Sequence, residues 1–315
     1  MTRLDDAGLA RLREAIREPD LSGTRYRLLG IAGTGGMGTV YSVEDEELGR
    51  RVALKVLEVK DVAVETRLRR EAQVLARLEH PGIVPVHEVG TLADGRAFYT
   101  MKLVQGDRLD RYVSKGLSLS ERLRVFLRIA EAVAFAHAHG VVHRDLKPQN
   151  VMVGPFGEVL VLDWGLAKVL SEPAGPPTGS PAARRRPDDT GDGAVLGTPG
   201  FMSPEQEAGG SGTVDARADV FSLGALLRWL LEPRAPAPLE AIACKAMAPR
   251  PGDRYPAASD LAQDVARFLD GAAVSAYPEG LLRRGLRFAA RHRVALGIIA
   301  AYLVGRGLIL LFAGR

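Results

Sequence analysis

The sequence predicts an α+β protein of two unequal lobes, a small β-rich lobe carrying one helix and a larger, mainly helical lobe, with a C-terminal transmembrane helix added. Three observations predict it. Between Tyr26 and Tyr99, short β-rich apolar runs alternate with turn residues. Beyond Gly106, apolar residues recur at helical spacing. Finally, residues 294–312 form a nearly continuous apolar run of 19 residues, close to the length that crosses a bilayer core.

Composition agrees with a folded chain. Its 315 residues suit one large domain or two modest ones, and 46% apolar with 25% charged residues excludes a disordered, collagen-like or disulfide-stapled chain. The 42 basic and 38 acidic residues give a net charge of +4, gathered in short runs, so nucleic acid is not an expected partner. Cys244 stands alone, which excludes an internal disulfide and a Cys-rich metal site and fits a reducing compartment. Met1 to Gly23 has early acidic residues and no apolar segment, so no secretory signal is expected and the N-terminus faces the cytoplasm.

Taken in order, Leu9, Leu12 and Ile16 predict a leader helix within residues 1–25, closed by Pro19 and Gly23. The small lobe, about 26–103, has predicted strands at Tyr26 to Ile31, Thr39 to Val43, Val52 to Val56, Ile83 to Val89 and Ala97 to Leu103, with one helix from Val62 to Leu78. In the large lobe, about 104–270, helices are predicted at Ser120 to His139, Val220 to Leu231, Leu239 to Met247 and Ala258 to Leu269, with Ser118 and Ser259 near the N-caps. Short strands are predicted at Val151 to Val153 and Val159 to Leu162. From Ser171 to Gly193 the chain is rich in Pro, Gly, Ser and Arg and cannot bury enough apolar surface to order itself, so a mobile loop is expected within residues 163–205.

The chemistry begins at Gly33-Thr34-Gly35-Gly36-Met37-Gly38-Thr39-Val40, between two predicted strands, where the glycines let backbone approach phosphates without Cβ clashes. A plain tight turn would use glycines too. Lys55 follows inside the apolar strand Val52-Ala53-Leu54-Lys55, where an unpaired ammonium is costly to desolvate. It needs anionic partners: Glu71 on the next helix, and a nucleotide's phosphates. The alternative is an edge-strand lysine reaching out to water. His143-Arg144-Asp145-Leu146-Lys147-Pro148-Gln149-Asn150 then packs four polar groups suited to phosphoryl transfer into eight residues, and Asp163 follows Asp145 by 18. Asn150 and Asp163 could hold hard Mg²⁺ ions against phosphates.

The strings GTGGMGTVY, HRDLKPQNVMV and GTPGFMSPEQ resemble the eukaryotic-type protein kinase family over about Tyr26 to Leu269, and more narrowly the bacterial membrane-anchored serine/threonine kinases. That resemblance implies ATP with Mg²⁺ or Mn²⁺ as cofactors and proteins bearing Ser or Thr as substrates. It implies that Gly33, Gly35 and Gly38, with Thr34, Gly36 and Met37 between them, cover the phosphates. Lys55 would contact the α and β phosphates and be held by Glu71. Asp145 would accept or orient the hydroxyl proton, while Lys147 would neutralise the transferred group, its spacing from Asp145 being similar to the serine/threonine-specific pattern. Asn150 and Asp163 would bind the metal ions. Val40, Ala53 and Met152 would sandwich the adenine, with Met101 as gatekeeper and Lys102 to Val104 as the hinge; core packing explains these apolar residues equally well. Glu205 and Arg254 would form a buried ion pair, and Asp219 would brace the catalytic loop. Arg144 is a cation that a loop phosphate could neutralise, with Thr190 the first candidate, then Thr178 and Ser180.

Three departures accompany the resemblance. Trp164 stands where phenylalanine is usual, and its indole N–H needs a partner. Only Glu232 to Pro238 joins two helices between which the family inserts a longer loop and a further helix, so apolar surface is expected to be left open for a partner or a second copy of the chain to cover. The loop from Ser171 to Gly193 is long and carries the basic run Arg184 to Arg186.

Arg283, Arg284, Arg287, Arg291 and Arg293 precede the apolar run in a linker of residues 271–293 and would keep the kinase domain on the cytoplasmic side of a single-pass membrane protein. Arg306 interrupts the run at a cost of about 2.5–3.5 kcal/mol near a bilayer centre, less when it snorkels. An interfacial basic helix or a buried terminal helix are the other readings. For the whole chain, two classes stand: an active serine/threonine kinase, and an ATP-binding membrane-anchored pseudokinase scaffold.

Overall fold

The structure, a computed structural model, describes residues 18–35, 38–57, 72, 75–164, 200–208, 215–278 and 280, with 294, 296–299, 301–303 and 305–306 near the C-terminus. The expected leader helix, most of the 62–78 helix including Glu71, and the loop candidates Thr178, Ser180 and Thr190 lie outside the described residues. Ala72 and Leu75, at the end of that predicted helix, are helical.

Five antiparallel strands build the small lobe: β1 (Tyr26–Gly35), β2 (Gly38–Asp45), β3 (Arg50–Leu57), β4 (Val86–Thr91) and β5 (Ala97–Lys102), in the order β1-β2-β3-β5-β4. Tyr41, Val43, Val52, Leu54, Val56 and Phe98 are buried together on one side of this sheet. Ile83, predicted as a strand start, makes only a single bridge, to Val161. Because β3 lies between β2 and β5, Lys55 is on an interior strand, which removes the edge-strand explanation for a lysine there.

The large lobe begins with β6 (Asp107–Arg108) and the short helix α1 (Leu109–Val113), neither of which hydrophobic periodicity predicts. α2 (Leu119–Ala138) starts at Ser118, whose hydroxyl accepts from the Glu121 amide while the Glu121 carboxylate accepts from the Ser118 amide. This reciprocal cap satisfies two donors that a helix start otherwise leaves open. Its other face buries Leu123, Phe126, Ile129, Val133 and Ala136. A 3₁₀ turn (Pro148–Asn150) leads into β7 (Val151–Val153), which with β8 (Val159–Val161) and β6 forms a second, three-stranded sheet. The helices α3 (Pro204–Glu207), α4 (Ala216–Leu231), α5 (Ala237–Ala246) and α6 (Ala258–Leu269) complete the lobe. Ser259 lies inside α6 instead of capping it; the N-cap is Ala257, whose amide donates to Asp260 Oδ2.

Glu232 to Pro236 is the whole link between α4 and α5. The open apolar surface expected there is not found among the described residues. Leu226, Leu227, Leu230 and Leu231 of α4 are buried within the chain itself, as are Leu239 and Ile242 of α5. α5 packs close enough that a Cβ at Gly224 would stand 2.7 Å from the Ala246 Cβ. The short link is therefore accompanied by direct helix-on-helix packing.

The described residues from 294 to 306 are helical. Among the described residues no helix is long and apolar enough to cross a membrane. Val294, Ile298, Ile299, Tyr302 and Leu303 are all exposed.

Candidate active site

Antiparallel register assembles the small-lobe side of the site. Gly35 pairs with Gly38 to close the β1–β2 hairpin, with Thr34 opposite Thr39 and Gly33 opposite Val40; Gly36 and Met37 lie outside the described residues. Gly38 is needed as glycine, since its φ is +145° and an added Cβ would meet Val56 O at 2.2 Å. Val40 stands opposite Lys55, Lys55 opposite Tyr99, and Ala53 opposite Met101. Paired residues and those two apart share a face, so Val40, Ala53, Lys55, Tyr99 and Met101 line one side of the sheet. Ala53 and Tyr99 are buried, Val40, Met101, Met152 and Val104 half-buried, and Lys102 exposed. Met101 packs on the main core, so for this residue core packing and cleft lining hold together.

Lys55 finds its anion in Asp163, Nζ to Oδ1 at 2.6 Å, joining the small lobe to the residue that follows β8 by two positions. Its ammonium also lies 5.9 Å from the centre of the Tyr99 ring. Burial alone would lower the Lys55 pKa, but Tyr99 and Asp163 outweigh it and hold the value above that of a free lysine. Burial in turn pushes the Tyr99 phenol up to about 12.

The large-lobe side is one hydrogen-bonded unit. Asp145 Oδ2 takes Lys147 Nζ at 2.8 Å and Asn150 Nδ2 at 3.1 Å, and the same Asn150 nitrogen donates to the Asp145 carbonyl at 2.7 Å. With the amide nitrogen committed to Asp145, the Asn150 carbonyl oxygen is the end that can meet a cation. Leu162 N donates to Asn150 O at 2.8 Å, which sets Asp163 beside it in the chain trace. Among the described residues no group of three or more His, Cys, Asp or Glu could hold a metal alone. One carboxylate and one amide oxygen fit a hard divalent ion whose remaining ligands come from phosphates and water.

Beneath this surface, Asp219 is fully buried and accepts from His143 N (2.7 Å), Arg144 N (2.8 Å) and His137 Nε2 (2.8 Å). Burial would raise its pKa, yet the bonds from His137 and from the His143 amide overcome that and hold it below the usual carboxylate range. Arg144 and Asp163 are the described non-glycine residues with left-handed backbone, φ +66° and +53°. Such conformations cost about 1–3 kcal/mol each and gather where surrounding bonds fix them.

The Trp164 indole has its partner: Nε1 donates to Val161 O at 3.1 Å, a bond phenylalanine cannot make, and the ring lies 4.8 Å from His143. His143 Nδ1 accepts from Asp145 N at 3.2 Å and Nε2 faces Leu162 O at 2.9 Å, so the neutral Nε2–H tautomer satisfies both neighbours. Glu205 and Arg254 form the expected ion pair, at 2.6 and 2.7 Å through both terminal guanidinium nitrogens.

Sequence reasoning therefore names Lys55, Asp145, Lys147, Asn150 and Asp163, and the structure brings them into two joined clusters. It misses Tyr99, His137 and Gln206. Tyr99 is found only once the β3–β5 register is known. His137 depends on the rotation of α2 against α4. Gln206 carried a readable signal, the spacing Ser203-Pro204-Glu205-Gln206 that marks a reciprocal helix cap.

Comparison with known proteins agrees with this geometry. The model of the protein kinase domain matches residues 26–272. A serine/threonine-protein kinase PknD of Protochlamydia amoebophila is 36% identical over 67% of this chain and 23% of its own length. PknB of Mycolicibacterium smegmatis is 34% identical over 80% of this chain and 44% of its own, and the DNA damage-responsive kinase RqkA of Deinococcus radiodurans is 41% identical over 64% and 29%. The chain thus spans less than half the length of these relatives. It belongs to the protein kinase domain family.

Proposed function

We propose that this chain is a serine/threonine protein kinase that transfers the γ-phosphoryl group of ATP to protein hydroxyls. The observation that carries the reading is the junction of Lys55 with Asp163 next to the Asp145–Lys147–Asn150 unit. With Oδ2 held by Lys147 and Asn150, Oδ1 of Asp145 is the oxygen we assign to orient the incoming hydroxyl and take its proton. Lys147 neutralises charge on the group in transit. Lys55, kept cationic by its neighbours, serves the α and β phosphates. Gly33 faces open space, with nothing within 4 Å of where its Cβ would be, as a backbone cover over phosphates requires. Val40, Ala53, Met101, Lys102, Val104 and Met152 are the residues we assign to the base. Asn150 and Asp163 would hold a divalent ion, which when bound offsets charge on the phosphate oxygens.

The catalytic unit in this reading spans residues 26–270, followed by the basic linker 271–293 and an anchoring helix at 294–312. Support for the anchor is that the described residues Val294, Leu296, Ile298, Ile299, Tyr302 and Leu303 are exposed, and apolar side chains so displayed need lipid or protein around them. Lys55→Met tests the chemistry. Purified protein with γ-labelled ATP, Mg²⁺ and a generic protein substrate is expected to yield phosphoserine and phosphothreonine, with label on the chain itself at Thr190. The variant should lose about 10²-fold or more of this transfer. Nucleotide binding without label in the wild type would favour the scaffold reading instead.

A further inference from the structure

The peptide that joins Arg144 to Asp145 is held at both ends by side chains. Its N–H, on Asp145, donates to His143 Nδ1 at 3.2 Å. Its carbonyl, on Arg144, accepts from Gln206 Nε2 at 2.9 Å. The preceding amide, Arg144 N, is held by Asp219 at 2.8 Å. Arg144 itself sits at φ +66°, where an L-residue is strained and returns to common backbone regions unless its neighbours prevent it. Relaxation of Arg144 to a common φ would displace the backbone of Asp145, and with it the carboxylate that Lys147 and Asn150 hold. Of the three pins, His143 belongs to the same loop and Asp219 to the core helix α4. Gln206 is different, because it comes from α3, far beyond Asp163 in the sequence.

The Gln206 amide is itself oriented. Its Oε1 accepts from Ser203 Oγ at 3.1 Å and from Ser203 N at 3.3 Å, so the nitrogen end is turned to Arg144. Ser203 is fully buried, with no water to compete for its hydroxyl. Alanine at 203 would leave one donor in place of two to hold the amide. This gives Ser203 a physical role in orienting the Gln206 amide.

We infer that Gln206 is a positioning residue for Asp145, so that the orientation of the catalytic carboxylate depends on α3 being docked against the catalytic loop. The inference rests on the kinase reading for its kinetic consequence, while its structural part stands alone. Gln206→Glu is nearly isosteric, keeps an acceptor for Ser203, and sets a carboxylate oxygen against the Arg144 carbonyl in place of a donor. Gln206→Met removes both polar ends without adding charge.

The test measures phosphoryl transfer, nucleotide affinity by calorimetry, thermal stability, and hydrogen exchange of the peptide covering residues 143–147 in full-length protein. For both variants we expect kcat to fall by about tenfold with KM for ATP within twofold, and faster exchange confined to the catalytic loop, with α2 and α4 unchanged. Ser203→Ala should give a smaller fall in the same direction. A merely structural role would lower stability and raise exchange across α3 and α4 with kcat per folded molecule unchanged, and that result overturns the inference. So does wild-type exchange at 143–147 in either variant. If the wild type transfers no phosphate at all, the kinase reading fails while the exchange measurement still decides the role of Gln206.

Discussion

Arg254 has a side chain with no exposure and still meets all five of its donors. Glu205 takes both terminal nitrogens, Arg217 O and Pro249 O take one hydrogen each, and Ala248 O takes Nε. The guanidinium also lies 5.0 Å from the Phe221 ring, so arginine's planarity is used as well as its charge. Burial alone would raise the Glu205 pKa, but the Arg254 bonds outweigh it and hold it below the usual carboxylate range. A carboxyl whose folded pKa is depressed contributes stability that is fully present above its unfolded pKa of about 4.3 and is lost as pH falls through the folded value. Arg254→Met, which strands a partly buried carboxylate, should therefore cost about 3–5 kcal/mol near neutral pH. The gap to wild type should narrow below pH 4 in denaturant melts; a gap independent of pH would contradict this. At this scale the sequence is legible wherever chemistry forbids substitutes. A lysine inside an apolar strand demands an anion, and among the described residues Asp163 supplies one, while Glu71, named from the sequence, lies outside them. Partners separated by a long chain, such as Gln206 and Arg144 or His137 and Asp219, were not readable because side-chain spacing carries no record of how two elements meet.

Helices α2 and α6 were predictable because each buries one face, which leaves a period near 3.6 in the sequence, whereas α4, β3 and β5 are buried on more than one face and read as near-continuous apolar runs. The elements missed are short. β6 has two residues and α1 five, too few for a period to appear. Ser118 was a sound cap because Glu121 completes the pair; Ser259 was not, since the chain enters α6 two residues earlier. The C-terminal apolar segment belongs to this scale too. If it is an anchor, full-length protein expressed in bacteria should sediment with membranes and be released by detergent but not by high salt. Protein ending at Tyr277 should stay in the supernatant. Release by salt alone would instead indicate a basic helix lying on the surface, and a full-length chain found in the supernatant would contradict attachment.

At the scale of the molecule, two sheets and a helical core meet along a line of polar residues. A lysine from β3 and an aspartate after β8 supply an ion pair between the lobes at the site. The larger cluster around Asp219 fixes the catalytic loop from below, through buried bonds from His143 N and Arg144 N that water does not weaken. The two-lobed order could be read from the switch between periods. The compaction of α4 on α5 could not, because a missing connection says nothing of how its ends close. Central to the proposed function is the assignment of Asp145 to the hydroxyl and not to nucleotide binding. Asp145→Asn, assayed side by side for ATP–Mg²⁺ affinity by calorimetry and for γ-phosphoryl transfer, measures that division directly. Affinity is expected to stay within threefold of wild type while transfer falls by about 10²–10⁴-fold; undiminished transfer, or an affinity lost in parallel with it, would contradict the assignment.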